Sequence, residues 1–300
     1  MADSRIKIVG VGGAGCSTVD SMLSTECAGK CELFVVNTDA ASLLRTRVAN
    51  KFLIGRNVTH DMSTGSSIKF GELAALSDKE KLAALVSESD VVFIVAGIGG
   101  GTGAGASPVV ASLARENGSI VISFVSIPFK GEGRVCAENA VKGLENLKGF
   151  SDLIVVVQND KAFELTESMP MQMAFTEING ILRTSIESMV EVMLHAGIDG
   201  VKPLLKGLAT IGFGGGHDAS EAAEKSVRNL LINRGVLNVS GIAMNILISS
   251  GFFSDKVGGA VEYMSNQFPS AQILWVSGVR EGLEDNIKVI SIFSGLDFSL

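Results

Sequence analysis

The sequence predicts an α/β protein: a Rossmann-like domain with a parallel sheet, joined by a long central helix to a smaller α+β domain. Three observations predict it. Short Val- and Ile-rich runs alternate with helical patterns through the first half, which implies βαβ units. From Met173 to His195 there is no Pro and a single Gly, and Ile178, Leu182, Ile186, Met189, Val190 and Met193 recur at three- and four-residue spacing. Beyond that helix the order of strand and helix patterns changes. The expected division is 1–172, 173–196 and 197–300.

Ile6–Val9 reads as a buried strand, Gly10–Gly15 as a turn, and Ser17 to about Ser24 as a helix. Leu33–Val36, Val91–Val95, Ile120–Val125 and Leu153–Val157 are the next strands; continuous Val/Ile runs predict cover on both faces. Pro108–Arg115 reads as an apolar helix. The central helix should end at Ala196-Gly197, a glycine C-cap. In the last third, Ser220–Asn233 and Asp255–Gln267 read as helices, and Val236–Ile248, Gln272–Val279 and Lys288–Ser294 as strands. The Gly-rich stretch Gly212–Gly216 is expected between the domains.

With 300 residues, 46% hydrophobic and 19% charged, the chain excludes disorder as a bulk description. A net charge of −7 argues against non-specific nucleic-acid binding. Val91–Ala114 and Gly235–Ser254 are long enough to cross a bilayer, but their Gly, Pro, Asn and Ser content favours buried strands and loops, so no membrane insertion is expected. Met1–Arg5 runs directly into the first strand without a leader, and Cys16, Cys27, Cys31 and Cys136 are read as reduced thiols, which points to the cytoplasm. His60, His195 and His217 are scattered, and no metal-ligating set is expected.

Two motifs carry chemistry. Gly10-Val11-Gly12-Gly13-Ala14-Gly15 follows a strand and opens a helix, a G-x-G-x-x-G pattern whose backbone can approach a phosphate. Alone it also fits a tight turn, or a dinucleotide fold with Asp39 on the ribose. Gly99-Gly100-Gly101-Thr102-Gly103-Ala104-Gly105 also follows a strand and precedes a helix. Its consecutive amides suit an anion-binding nest, with Thr102 adding a hydroxyl. Together they point to a polyphosphate held between two helix N-termini. The lysine-bearing P-loop is absent. An NAD-dependent oxidoreductase is the distant alternative, and it leaves the second glycine run without a role.

GGGTGAG, preceded by GVGGAG with Asn37-Thr38-Asp39 between them, resembles the FtsZ/tubulin superfamily, more closely FtsZ, over nearly the whole chain. Further matches arrive in order: Gly65 in the loop Thr59–Gly71, Pro128-Phe129 with Glu132-Gly133, Asn159-Asp160, Ala174-Phe175, and a final strand Asn286–Phe298. The resemblance implies GTP or GDP, with Mg2+, in a head-to-tail filament of the cell-division cytoskeleton. It implies phosphate contacts from Gly12, Gly13, Ala14, Gly15, Gly65, Gly99, Gly100, Gly101, Thr102 and Gly103, and sugar or phosphate contacts from Asn37 and Asp39. It places Glu132 near the ribose, Phe175 on the guanine face and Asn179 at the guanine edge. On the residues alone Phe175 fits helix packing equally well, and Asn159 fits either a strand-end backbone contact or a ligand contact.

The chain departs from the FtsZ pattern in the loop after the long helix. There FtsZ carries Asn-x-Asp-x-x-Asp and inserts it at the next subunit's nucleotide to position water and cation. Here the segment is Gly197-Ile198-Asp199-Gly200-Val201-Lys202, so Asp199 is kept, Gly197 stands in place of the Asn and Lys202 in place of the final Asp. A charged lysine cannot coordinate a cation, and beta-tubulin also has a lysine at the matching position facing a GTP that is not hydrolysed. Weak or absent hydrolysis in trans is therefore expected, with Asp199 and Lys202 as the altered catalytic pair. Ser17 replaces an Asn near the guanine. Cys136 stands where an Arg reaches the nucleotide, with Arg134 as the nearest substitute. FtsZ continues into a linker and a tether-binding peptide, and the sequence given stops at Leu300: either that part is cut away or the protein lacks it, and without it the usual membrane tethers are not expected partners. A regulatory or capping role beside a second FtsZ-family protein is the alternative to self-assembly.

Overall fold

A computed structural model describes residues 4–165, 170–232, 238–250, 257–283 and 285–297, with 171 and 172 as backbone only. The chain forms two compact units; the first ends at Arg183 and the second begins at Thr184.

In the first unit the elements are β1 (Ile6–Val11), α1 (Gly12–Met22), β2 (Glu32–Asn37), α2 (Ala40–Arg45), β3 (Asn50–Leu53), α3 (Arg56–Thr59), α4 (Ile68–Ser77), α5 (Lys79–Val86), β4 (Val91–Gly97), α6 (Gly101–Glu116), β5 (Ile120–Ile127), α7 (Arg134–Lys148), β6 (Leu153–Gln158) and α8 (Asn159–Glu164). The strands lie in the order β3-β2-β1-β4-β5-β6, all parallel. Every residue of β1 and all but the last of β4 are buried, as strands covered on both faces must be. Strand order reverses between β1 and β4, and ligands of such sheets bind outside the carboxyl ends of the strands at that reversal. The two glycine motifs follow these same two strands.

Both glycine motifs are more helical than the sequence suggests. α1 starts at Gly12, not near Ser17, and α6 starts at Gly101, two turns before Pro108. Glycine is a poor helix former, so tertiary packing decides here. A Cβ on Gly15 would sit 2.1 Å from the Val95 carbonyl oxygen, one on Gly103 2.2 Å from that of Gly97, and one on Gly105 2.2 Å from that of Ile68. Only residues without a Cβ let these helices lie against their neighbours' backbone. Pro108, inside α6, is tolerated at the cost of the hydrogen bond its missing N–H would give the Ala104 carbonyl.

The central helix, α9, runs Met171–Val201, longer than the periodic stretch. Gly197 adopts φ 73° and ψ 162°, breaking regular geometry where the sequence placed a C-cap, and helical backbone resumes to Val201. Ile178, Leu182, Ile186, Met189, Val190 and Met193 are all buried, so the apolar stripe is the buried one.

The second unit contains β7 (Gly207–Gly216), α10 (Ala219–Arg228), β8 (Gly241–Ile248), α11 (Gly258–Gln267), β9 (Gln272–Val279) and β10 (Ile287–Leu296). The strand order is β7-β10-β8-β9, with β10 antiparallel to both neighbours and β8 parallel to β9. Its core joins Ala219, Ala222 and Ala223 of α10 to Ile242, Met244 and Ile246 of β8, Met264 of α11 and Phe293 of β10. Gly212–Gly216, read as an interdomain stretch, belongs to β7. A Cβ at Gly212 or Gly214 would lie 1.9 Å from the carbonyl oxygen of Ser226 or Ala222, so these glycines seat α10 against the strand. β3 also escaped the sequence reading, because Asn50-Lys51-Phe52-Leu53 is a four-residue, half-polar edge strand. α10 ends at Arg228, short of Asn233, and residues 233–237, 251–256 and 298–300 of the expected elements lie outside the described residues.

Candidate nucleotide site

A cleft of about 390 Å³ opens in the first unit at the carboxyl ends of its strands. Its floor is the pair of helix N-termini. Neither α1 nor α6 has a side-chain N-cap, so their first-turn amides are left for a ligand. A Cβ on Gly13, Gly65 or Gly100 would meet nothing within 4 Å, whereas the glycines behind them are packed tight. The run therefore divides its labour: some glycines face open cleft, others hold the helices in place.

The loops are braced to one another. Thr38 and Thr102 share a hydroxyl–hydroxyl hydrogen bond of 3.0 Å, tying the loop after β2 to the start of α6. The Asn37 carboxamide oxygen accepts from the amides of Thr38 (2.9 Å) and Asp39 (3.3 Å). Asp39 caps α2, its Oδ1 accepting from the Ala41 and Ser42 amides and its Oδ2 from the Ser42 hydroxyl. Burial alone would raise the Asp39 pKa, but the Ser42 and Ala41 hydrogen bonds outweigh it and hold the carboxyl below the ordinary range. Behind this loop, burial pushes the Cys16 thiol up to about 12, so it is an inert core group.

Toward the other end of the cleft, Phe175 on α9 is 40% exposed and meets Phe129 edge-on at 5.4 Å between ring centres, leaving ring surface uncovered. Asn179 follows one turn later on the same wall. Glu132 lines the cleft while its Oε1 accepts from the Phe129 amide at 2.8 Å. Asn159, 4% exposed, lines the cleft with its Oδ1 buried and without a hydrogen-bond partner. Such an orphaned acceptor costs free energy unless a ligand supplies a donor.

Most of the predicted site residues meet in this cleft: Gly13, Ala14, Asn37, Asp39, Gly65, Gly99, Gly100, Gly101, Thr102, Gly103, Glu132, Asn159, Phe175 and Asn179 line it. Gly12 and Gly15 do not. Gly15 is a packing glycine, and Gly12, at φ 74°, makes the turn out of β1 that a residue with a Cβ would resist. Arg134 does not line it either; on the first turn of α7, its exposed guanidinium pairs with Glu138 at 3.4 Å. Sequence reasoning missed Ser63, Thr64 and Ser66 beside Gly65, although the run Ser63–Ser67 is a polar signal. It also missed Asn139. This buried side chain on α7 donates to the carbonyls of Gly99 (3.0 Å) and Ser66 (2.8 Å), and so holds two rims of the cleft. A single Asn on an amphipathic helix gives no such signal.

Asp199 and Lys202 belong to the second unit. Lys202 Nζ lies 2.7 Å from Asp199 Oδ1, with the Asp199 side chain 93% exposed. The Lys202 hydrogen bond and charge hold the Asp199 carboxyl below the ordinary range.

Uncapped helix N-termini, open glycine backbone and an unpaired acceptor beside an exposed ring define a nucleotide-binding α/β protein that takes a polyphosphate at the strand reversal. The comparisons name the family. Residues 5–167 match the GTPase domain of the Tubulin/FtsZ family. The chain is 35% identical over 304 residues to cell division protein FtsZ 1 of Pyrococcus furiosus, covering 98% of this chain and 81% of that protein. It is 33% identical to the Methanocaldococcus jannaschii protein of the same name, over 98% and 83%. It superposes on an M. jannaschii FtsZ structure, an empty dimer, with a TM-score of 0.90 at 32% identity over 97% and 88% of the two chains. A Haloferax volcanii CetZ2 structure shares the fold, at a TM-score of 0.81 and 21% identity over 98% and 94%. The chain belongs to the Tubulin/FtsZ family, and the nucleotide its cleft fits is GTP or GDP. The family match gives the NAD alternative no support. No helix among the described residues is long and apolar enough to cross a membrane.

Proposed function

We propose that this protein is a cytoplasmic cytoskeletal GTP-binding protein of the cell-division type that assembles head to tail and turns GTP over slowly or not at all. The single observation that carries the slow turnover is the Asp199–Lys202 ion pair. In this reading the segment 197–202 acts on the nucleotide of the neighbouring subunit. Asp199, the one acid retained there, is neutralised by the lysine that replaces its partner acid. Positioning water and neutralising charge are most of what a phosphoryl-transfer site does, so losing an acid and masking the other removes much of it.

The cleft residues take the binding roles. The amides of Gly13 and of Gly100 to Gly103 hold phosphate oxygens, and Thr102 adds a hydroxyl. Asn159 offers its unpaired oxygen to a ligand hydroxyl, Phe175 stacks on the base, and Asn179 meets the base edge. GTP, when bound, supplies the terminal phosphoanhydride bond. Mg2+, when it accompanies the nucleotide, would neutralise phosphate charge. Head-to-tail contacts are heterologous and leave open ends, which makes filaments.

Purified protein is incubated for hours with GTP and Mg2+, then sedimented, and the bound nucleotide is extracted and identified. Pelleted protein retaining GTP is expected. GDP, in protein free of contaminating phosphatase, overturns slow turnover, and neither nucleotide overturns the site.

A further inference from the structure

Thr18 sits in α1 with no solvent exposure, one turn beyond the glycine motif. Its Oγ1 lies 3.0 Å from the Ala14 carbonyl oxygen and 3.1 Å from Asn179 Oδ1. A hydroxyl carries one proton and can serve only one of these two oxygens. As placed, Thr18 faces both oxygens as their donor, but a threonine inside a helix characteristically gives its proton to the carbonyl four residues back, here Ala14, and the second contact is then lone pair against lone pair. Turning the Asn179 carboxamide by 180° exchanges its oxygen and nitrogen without moving any other heavy atom, so the hydrogen-bond network decides between the two. After the turn, Asn179 Nδ2 donates to Thr18 Oγ1 and Thr18 donates to Ala14. Both contacts become hydrogen bonds, and Asn179 Oδ1 is released on the side of the cleft that this residue lines.

We infer that Thr18 is a positioning residue for base selection, fixing the Asn179 carboxamide with its oxygen toward the cleft. An oxygen there accepts from guanine, whose N1 and N2 carry hydrogens, and opposes adenine, whose N1 is an acceptor. The inference rests on the base lying beside Phe175 and Asn179. The chain supplies the discrimination with one neutral side chain, so the orientation of that carboxamide decides which purine is favoured. Valine at position 18 keeps the shape but offers no acceptor, and the carboxamide then has no reason to prefer either orientation.

The test measures dissociation constants for GTP and ATP, by competition against a fluorescent guanine nucleotide, in the wild type and in Thr18→Val, Thr18→Ser and Asn179→Ala. The wild type should favour GTP by about a hundredfold or more, as sites that hydrogen-bond a polar edge do. Thr18→Val should lower that preference about tenfold, mostly through weaker GTP binding. Thr18→Ser, which keeps the hydroxyl, should restore it to within about twofold. A merely structural role would weaken both nucleotides alike and leave their ratio unmoved. If Asn179→Ala lowers the ratio while Thr18→Val does not, or if serine fails to rescue, the positioning role is overturned and the base site stands. If neither variant moves the ratio, the base does not lie at Asn179, and the site assignment itself falls. Should the valine variant not fold, Thr18→Ala reads the same ratio.

Discussion

The glycine loops after β1 and β4 present backbone to the cleft, whereas the segment 197–202 presents two exposed side chains. The backbone site depends on close approaches at Gly10, Gly15, Gly101, Gly103 and Gly105, where a single added methyl group would meet backbone within 2.5 Å. The side-chain site depends on the identity of residue 202. The lesson is that binding and turnover are encoded with different robustness. On the proposed function, the packed glycines of the cleft are kept while the segment 197–202 exchanges an acid for Lys202.

The sharpest break of that comparison sets two glycines of one loop against each other. A Cβ at Gly103 would lie 2.2 Å from the Gly97 carbonyl oxygen, while one at Gly100 meets nothing within 4 Å. Gly103→Ala should cost about 3 kcal/mol of stability, the upper part of the range for overpacking, and abolish GTP binding with it. Gly100→Ala should leave the urea midpoint of nucleotide-free protein unchanged and weaken GTP binding more than about tenfold, because the methyl group occupies space the ligand needs. Equal urea midpoints for the two variants would refute the division of the loop into packing and ligand-facing glycines.

The second prediction tests the side-chain half. Lys202→Asp removes the ion pair, returns the Asp199 carboxyl toward its ordinary range and restores two acids at the spacing the turnover reading requires. Phosphate release from assembled protein should rise at least about tenfold, at unchanged affinity for GTP. Both side chains are exposed, so stability should not move. A variant that still pelleted with GTP and showed no faster release would acquit Lys202 as the block.

The same contrast explains what was legible in the sequence. The parallel strands and the pair of phosphate-type loops could be read because glycine runs after Val/Ile strands leave few alternatives: Gly99 to Gly105 are too many for a turn. Phe175 and Asn179 could be read only through the family resemblance. The helix starts at Gly12 and Gly101 were hidden because local propensity opposes them and only tertiary contact overrides it. β7 was hidden for the same reason, since its glycines seat α10 against backbone and look like a loop in one dimension. Asn139 and Thr18 were invisible because a bracing role exists only between residues distant in sequence. Arg134 was misplaced because proximity along the chain to a missing arginine does not turn a side chain toward the cleft.

The smallest predicted effect concerns the rim that joins these regimes, where a side chain does backbone work. Asp39 caps α2 with both carboxylate oxygens, and substituting such a cap by alanine costs about 1 kcal/mol. Its folded pKa lies below the unfolded value of about 3.9, so the native state binds its proton less readily than the unfolded chain does. That contribution is complete above pH 4 and is lost as pH falls through the folded pKa. Urea unfolding of nucleotide-free Asp39→Ala should therefore show its full deficit at pH 7 and a shrinking one as the pH falls below the unfolded value and through the lower folded one, where the wild-type carboxylate also becomes protonated. The opposite trend, a deficit growing with acid, would mean that Asp39 is stabilised in its protonated form and that the cap is not what holds the rim of the cleft.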